Sequence, residues 1–200
     1  MASPQKILVL GGTSFVGRTF CELVMRQHSF ELTLLNRGLT NNHLFPQFPR
    51  LVCNRNQEQD CKEQLAGSHW SSIIDFSGQE DQQIRNILSN CSCDHYVFLS
   101  SSAVDLSWPG DPIFDMAKNK LWCEHLVARL TPSHLMVRAG FICGEYDYTE
   151  RFSQRNGLWF WRGTEHLVRP MIRSDILANT LVQSIRVQRT GVLRAGYLAL

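Results

Sequence analysis

The sequence predicts a single α/β domain built on a doubly wound parallel sheet, and three observations support this fold class. Strand-like and helix-like segments alternate along most of the chain, as in parallel strands joined by crossover helices. The first strand-like segment, residues 7–10, is apolar on both faces, as a strand covered by helices on both sides requires. The chain has 200 residues, 44% of them hydrophobic, which is enough for one sizeable core.

A glycine turn follows the first strand and leads directly into a helical segment. Gly11 and Gly12 allow a tight turn, Gly17 allows the helix to pack closely on the strand, and Ser14 occupies the middle position of this spacing. A Rossmann-type fold uses such a turn to bring backbone N–H groups at a helix N-terminus against a pyrophosphate. A plain strand–turn–helix connection remains the alternative.

The other elements are predicted from hydrophobic periodicity. Strands are expected at residues 31–35, 51–53, 72–76, 95–99, 134–138 and 191–195, and helices at 16–26, 81–88, 116–130 and 175–187. Segments 36–50 and 143–157 are expected to be loops. The aromatic run 158–161 and residues 167–172 are expected to form a hairpin, with its turn at 162–164. These segments indicate a small insertion at about 143–172 within one domain of residues 1–200.

The composition of the chain argues against several classes of partner. The formal net charge of +2 argues against a nucleic-acid partner, and the absence of a long apolar run argues against a membrane span. The first residues lack the apolar core of a signal peptide, so we expect a cytoplasmic protein. Seven scattered cysteines indicate reduced thiols packed as small hydrophobes. No metal site is predicted, because zinc at Cys91 and Cys93 would lack a second ligand pair.

Four segments, in order along nearly the whole chain, resemble the short-chain dehydrogenase/reductase superfamily, in particular its extended and atypical NAD-dependent epimerase/dehydratase branch. They are GGTSFVG at 11–17, YVFLSSSAV at 96–104, KLWCE at 120–124 and LMVRAGFICG at 135–144, where Ala139 replaces the proline of the family. Asp175 resembles the residue that begins a family helix and is expected to be its N-cap. Family members commonly continue beyond this length, which implies a reduced C-terminal substrate region here.

The end of the second strand predicts the cofactor. Related folds hold the adenosine ribose with an acidic residue at this point, whereas this chain has Asn36 and Arg37. An arginine offers a planar fork to the 2′-phosphate, so NADP is favoured and NAD is the alternative. The alternative explanation is that Arg37 is a solvated surface arginine without a ligand.

The resemblance implies a set of cofactor-binding residues along the carboxyl ends of the strands, with Arg55 also near the adenine. The set comprises Gly11, Gly12, Thr13, Ser14, Phe15, Val16, Gly17, Asn36, Arg37, Asn54, Phe76, Ser77, Gly78, Ser100, Lys120, Ala139, Phe141 and Ile142.

The catalytic pattern of the family is incomplete here. The family places a proton-exchanging tyrosine four residues before a lysine, on one helix face, but Met116 precedes Lys120 at that spacing. Ser102 and Lys120 match the family's serine and lysine and are the predicted catalytic residues. The substitute acids to consider are Asp115, Tyr146 and Tyr148.

The leading interpretation is an NADP(H)-dependent oxidoreductase or epimerase-type enzyme acting on a small polar substrate. The competing one is a non-catalytic dinucleotide-binding sensor or scaffold, and RNA binding is a third that the charge disfavours. The resemblance places the insertion on the substrate side, and its basic residues Arg151, His166 and Arg169 are candidates for substrate contact. Its aromatic run, Trp159, Phe160 and Trp161, could cover the site or pair with a second subunit in a homodimer.

Overall fold

The structure, a computed structural model, describes residues 4–156, 158–162 and 170–196. Its strands are β1 (Lys6–Leu10), β2 (Glu31–Asn36), β3 (Arg50–Val52), β4 (Ser68–Asp75), β5 (Cys91–Ser101), β6 (His134–Ala139), β7 (Phe141–Cys143), β8 (Phe152–Arg155), β9 (Leu158–Trp161), β10 (Met171–Arg173) and β11 (Gly191–Ala195). Its helices are α1 (Phe15–Gln27), α2 (Glu58–Leu65), α3 (Asp81–Leu88), α4 (Ala103–Leu106), α5 (Phe114–Leu130) and α6 (Ser174–Arg186).

Seven strands form one parallel sheet in the order β11-β6-β5-β4-β1-β2-β3. The predicted fold class is therefore confirmed. The chain moves outward from β1 to β3 and then crosses back to β4 on the other side of β1. A sheet of this kind leaves a crevice outside the carboxyl ends of its strands at the point of reversal, which here lies between β1 and β4.

The core lies on both faces of this sheet. Along β1, Ile7 and Val9 face a cluster that includes residues of α1 and α6, whereas Leu8 and Leu10 face a cluster that includes residues of α2, α3 and α5. All four side chains are fully buried or nearly so. Helices therefore cover both faces of β1, as its doubly apolar sequence predicts.

Among the described residues, the pairing of the insertion differs from the predicted hairpin. Strand β9 pairs antiparallel with β8, which lies in the segment expected to be a loop. Strand β10 instead pairs in parallel with β7. The polar run Ser153–Arg155 concealed β8, because it lacks the apolar alternation of a half-buried strand. Residues 163–169, which include most of the predicted turn, lie outside the described part of the chain.

Two further expectations need correction. Helix α2 was not predicted, because only Cys61 and Leu65 of its eight residues are buried and its composition is otherwise polar. Asp175 is not the N-cap of α6, since Arg173 holds that position and forms an ion pair with Asp175 at 2.7 Å. The cysteines agree with prediction, since all seven are free and six are buried. Across the described ranges, no helix combines the length and apolar character that crossing a membrane requires.

Candidate cofactor and active site

Two adjoining cavities open along the carboxyl ends of the strands. The inner cavity, about 330 Å³, is lined by residues that follow or end β1, β4, β5 and β6, and the outer cavity, about 370 Å³, by those that follow or end β1, β2 and β3. Both are lined by Gly11, Ser14, Ser77 and Gln79, at the reversal of strand order. We call the two cavities together the groove, and its position is the crevice that the topology predicts.

The glycine turn forms the floor between the two cavities. Gly11 has φ +83°, and a Cβ there would lie 2.7 Å from Ser77 Oγ. A Cβ on Gly17 would lie 2.2 Å from the Gly11 carbonyl oxygen, so α1 can approach the turn only with glycine at this position. Gly12 differs, because its Cβ would point into the core against Cys21 Sγ at 2.9 Å. Gly12 is therefore required for packing and lines neither cavity, although the sequence predicted it among the cofactor-binding residues.

Helix α1 begins at this floor. Ser14 is its N-cap, with extended backbone angles and, among the described residues, no side-chain hydrogen bond to the helix. The first turn of α1 contains no acidic residue that would neutralise the positive end of the helix dipole. Asn41 Nδ2 donates to the Thr13 carbonyl oxygen at 3.0 Å, and Thr13 Oγ1 donates to the Thr40 carbonyl oxygen at 3.1 Å. These bonds tie the 36–50 loop to the glycine turn.

The outer cavity is lined by two arginines, Arg37 and Arg55, and by no carboxylate among the described residues. Arg37 is exposed at the end of β2. Asn36 accepts a hydrogen bond from the Gly38 N–H at 2.9 Å through Oδ1, while its Nδ2 is buried without a partner among the described residues. Asn54 also lines this cavity. Its polar and cationic lining suits the ribose and phosphate groups of a nucleotide.

Arg55 is buried against Asp75, which ends β4 and has no exposed surface. Arg55 Nη1 donates to Asp75 Oδ2 at 2.8 Å, and Nη2 donates to Ser77 Oγ at 3.0 Å. Tyr96 Oη donates to the same carboxylate oxygen at 3.1 Å, and burial raises the pKa of Tyr96 well above its ordinary value. Sequence reasoning missed Asp75, although a carboxylate directly after two isoleucines of a buried strand was a signal for a buried ion pair.

The inner cavity gathers Ser100, Ser101, Ser102, Met116 and Lys120. The Ser102 backbone N–H donates to the Ala139 carbonyl oxygen at 2.7 Å, which fixes the end of β5 beside the end of β6. Ser100 Oγ is buried without a partner among the described residues. Buried polar atoms are rarely left unpaired in folded proteins, so a ligand that supplies a hydrogen-bond partner fits this position.

Lys120 extends from α5 towards the ends of β4 and β5. Its Nζ donates to the carbonyl oxygens of Gly78 at 2.6 Å and Leu99 at 2.8 Å, and it lies 4.8 Å from the centre of the Phe98 ring. Burial lowers the pKa of Lys120 to about 8. An ammonium has three N–H donors, so one remains for a ligand in the cavity. Gly78 itself lines neither cavity; its carbonyl group accepts from Lys120, and a Cβ at this position would lie 2.7 Å from Asp75 Oδ2.

The three candidate substitute acids occupy different places. Asp115 is exposed and lines neither cavity. The guanidinium carbon of Arg18 lies 3.5 Å from the centre of the Tyr146 ring, and the Tyr146 hydroxyl donates to Glu22 Oε2 at 3.2 Å. Tyr148 lines the inner cavity and meets Phe15 edge to face, with ring centres 6.3 Å apart. Only Tyr148 of these three is brought to the groove.

The remaining predicted residues divide as follows. Among the basic residues of the insertion, Arg151 lines the inner cavity, whereas His166 and Arg169 lie outside the described residues. Trp159 is partly buried in β9, and of this aromatic run it is the one ring whose burial the structure describes. The predicted cofactor-binding residues that line the inner cavity also include Phe15, Val16, Gly17, Phe76, Ala139, Phe141 and Ile142.

Known structures share this architecture. The NAD complex of UDP-glucose 4-epimerase from Thermus thermophilus superposes with a TM-score of 0.71 at 14% identity, over 96% of this chain and 77% of that one. A dTDP-glucose 4,6-dehydratase from Streptomyces venezuelae, with NAD bound, gives 0.72 at 15% identity, over 96% and 75%. A wide-type short-chain dehydrogenase/reductase from Veillonella parvula, with NADP, gives 0.65 at 8% identity, over 92% and 88%.

The chain therefore has the fold of nucleotide-sugar epimerases and dehydratases and of short-chain dehydrogenases/reductases, as the sequence resemblance predicted. No protein-family model matches the chain, and no curated protein matches its sequence.

Proposed function

We propose that this chain binds NADP(H) along the groove and uses it for oxidoreductase or epimerase-type chemistry on a small polar substrate. The observation that carries the proposal is the meeting of two cavities over Gly11 and Ser14, at the reversal of strand order. A dinucleotide needs two compartments joined by a pyrophosphate position, and helix N-termini at such crevices favour anions. Ser14, Gly11 and Ser77 would hold the pyrophosphate.

The charges of the outer cavity favour NADP over NAD. Arg55 is neutralised by Asp75, whereas Arg37 lines the cavity with no carboxylate beside it among the described lining residues. Arg37 would therefore contact the 2′-phosphate, with Asn36 and Asn54 at the adenosine. NAD-binding members of this fold class use a carboxylate at the end of the second strand, which would repel that phosphate.

The inner cavity would hold the nicotinamide, which supplies or accepts a hydride at C4 when bound. Lys120 would offer its remaining N–H to the nicotinamide ribose, and its position is fixed by two main-chain carbonyl groups. Ser102 would donate to a substrate oxygen. Phe141, Ile142 and Met116 provide apolar walls that exclude water from the reacting atoms.

Proton exchange requires a group other than Met116, because a thioether has no proton to donate. Tyr148 is the phenol that lines the inner cavity, and we propose it as the acid that donates to the substrate oxygen. It is 73% exposed, so its hydroxyl group can exchange protons with solvent between turnovers.

A hydride-exchange assay tests this proposal. The loss of label from 4-deuterated NADPH is followed across aldehydes, ketones, imines and nucleotide sugars. We expect exchange with at least one class, and Tyr148→Phe should slow it by about 10² to 10⁴-fold, the usual contribution of a positioned acid. Met116→Leu is the control, because it conserves volume in the same cavity and should change the rate little.

The results also separate the enzyme from the competing interpretation, a dinucleotide-binding sensor or scaffold, which rests on Met116 in place of the family's tyrosine. NADPH binding without exchange in any of these classes would favour the sensor over the enzyme. Exchange that proceeds at the wild-type rate in Tyr148→Phe would show that the proton comes from another group.

A further inference from the structure

Two buried thiols lie in contact beside the outer cavity. Cys53 follows β3 and Cys61 lies in the first half of α2, with their Sγ atoms 3.4 Å apart in a hydrogen bond. Cys53 is 2% exposed and Cys61 has no exposed surface. Cys53 is also one of the residues that line the outer cavity. Both thiols belong to the core, one of them also lines the cavity, and the proposed hydride chemistry uses neither.

The two sulfur atoms need only a small movement to bond. A disulfide has an S–S length of about 2.05 Å, so the atoms must approach by roughly 1.4 Å. Only a short loop and the start of α2 separate the two residues, and the middle of this segment, residues 56–59, is polar and exposed. Because the two sulfur atoms are already in contact, oxidation of either one leaves the other in place to attack it.

We propose that Cys53 and Cys61 form a reversible disulfide when a peroxide enters the outer cavity. The Cys53 sulfur attacks one peroxide oxygen, the O–O bond breaks, and the Cys53 proton leaves with the other oxygen as water. The resulting sulfenic acid is then attacked by the Cys61 sulfur. The S–O bond breaks, and hydroxide leaves with the Cys61 proton as a second water. Two thiols are oxidised and one peroxide is reduced.

The pair is linked to the groove through the main chain. The Cys53 N–H donates to the Asn36 carbonyl oxygen at 2.9 Å, and the Asn54 N–H donates to Asp60 Oδ2 at 3.2 Å. Asn36 and Asn54 are two of the residues proposed to hold the adenosine. A dinucleotide in the outer cavity would cover Cys53, and this part of the inference rests on the proposed function.

Peptide mapping after mild treatment of the folded, nucleotide-free protein with hydrogen peroxide tests the disulfide. We expect a linked peptide pair containing Cys53 and Cys61, which dithiothreitol separates. Cys61→Ala should abolish the linkage and leave Cys53 at sulfenic or higher oxidation states. Cys93→Ala is the matched control, since this buried thiol lies in the first half of β5, away from the groove, and its loss should leave the linkage intact. Wild-type protein in which Cys53 stays reduced, or is oxidised without joining Cys61, would overturn the proposal.

Protection by NADPH tests the route of the oxidant. At ten times its Kd, NADPH should slow formation of the linkage about tenfold, because only the unliganded fraction reacts. A linkage that forms at an unchanged rate on protein shown to be saturated would overturn entry through the outer cavity. Failure of NADPH to bind is detected separately by thermal shift, and would refute the proposed function while leaving the thiol chemistry standing.

Discussion

Ser14→Asp should separate cofactor binding from folding at a single position. Ser14 lines both cavities and caps α1 without a side-chain hydrogen bond to the helix among the described residues. Aspartate is as good an N-cap as serine, and its charge is favoured at the positive end of a helix. The substitution should therefore preserve or slightly raise the stability of the free protein while placing a negative charge where the pyrophosphate is proposed to bind.

The size of the effect follows from Coulomb's law. Two like charges about 5 Å apart repel by about 3 kcal/mol at an effective dielectric constant of about 20. Every 1.4 kcal/mol is a tenfold change, so the Kd for NADPH should rise by about a hundredfold or more. Salt screens part of this repulsion, and the effect should therefore be largest at low ionic strength.

Isothermal titration of the nucleotide-free protein with NADPH measures the change, and a thermal scan without ligand checks the fold. Ser14→Asn is the matched control, because asparagine has the shape and the capping ability of aspartate without its charge. We expect NADPH affinity within a few-fold of wild type for Ser14→Asn and a strong loss for Ser14→Asp. Equal affinities for the two variants, with both folded, would refute a pyrophosphate at the start of α1.

Three further substitutions test other parts of the molecule. Arg37→Ala should weaken NADPH binding by about 1.5 to 3 kcal/mol, the scale of a charged hydrogen bond, and leave NADH binding unchanged; equal losses for the two cofactors would mean that Arg37 does not contact the 2′-phosphate. Asp75→Asn should lower the free energy of unfolding in urea by about 3 to 5 kcal/mol, because it leaves Arg55 buried without its partner, whereas Asp81→Asn in an exposed pair should cost less than about 1 kcal/mol. The unfolding free energy of the wild type should rise with pH between about 8 and 10.5, because in that range the unfolded chain still holds the Lys120 proton that the folded chain has released. Lys120→Met should remove this rise. Parallel pH profiles for the two proteins would contradict the lowered pKa of Lys120.

The sequence was sufficient where local pattern and tertiary role coincide. The doubly apolar β1, the glycine turn and α1 form a continuous strand–turn–helix unit, and the structure reproduces it. Gly12 shows the limit of prediction from the sequence. The resemblance placed Gly12 with the cofactor, and in the structure its missing side chain makes room for Cys21 and Leu34 in the core. Glycines are needed for both reasons, and only the direction of the absent Cβ separates them.

The errors arise where pairing joins residues distant in sequence. Strand β10 is parallel to β7, and three of the four residues of β8 are polar although this strand pairs with an aromatic one. Neither relation leaves a local periodicity, so the aromatic run was paired with the wrong segment. The contacts of Asp75 with Arg55 and Tyr96 likewise join residues 20 and 21 positions apart. The choice of Tyr148 among three candidate acids also required coordinates, because position along the loop did not distinguish it from Tyr146.

A crystal structure of the complex with NADPH tests the central proposal most directly. We expect one dinucleotide per chain along the groove, with its pyrophosphate at Gly11 and Ser14, its 2′-phosphate at Arg37 and its nicotinamide beside Ser102 and Lys120. A groove that remains empty in crystals grown at saturating NADPH, or a dinucleotide bound elsewhere on the chain, would contradict the proposal.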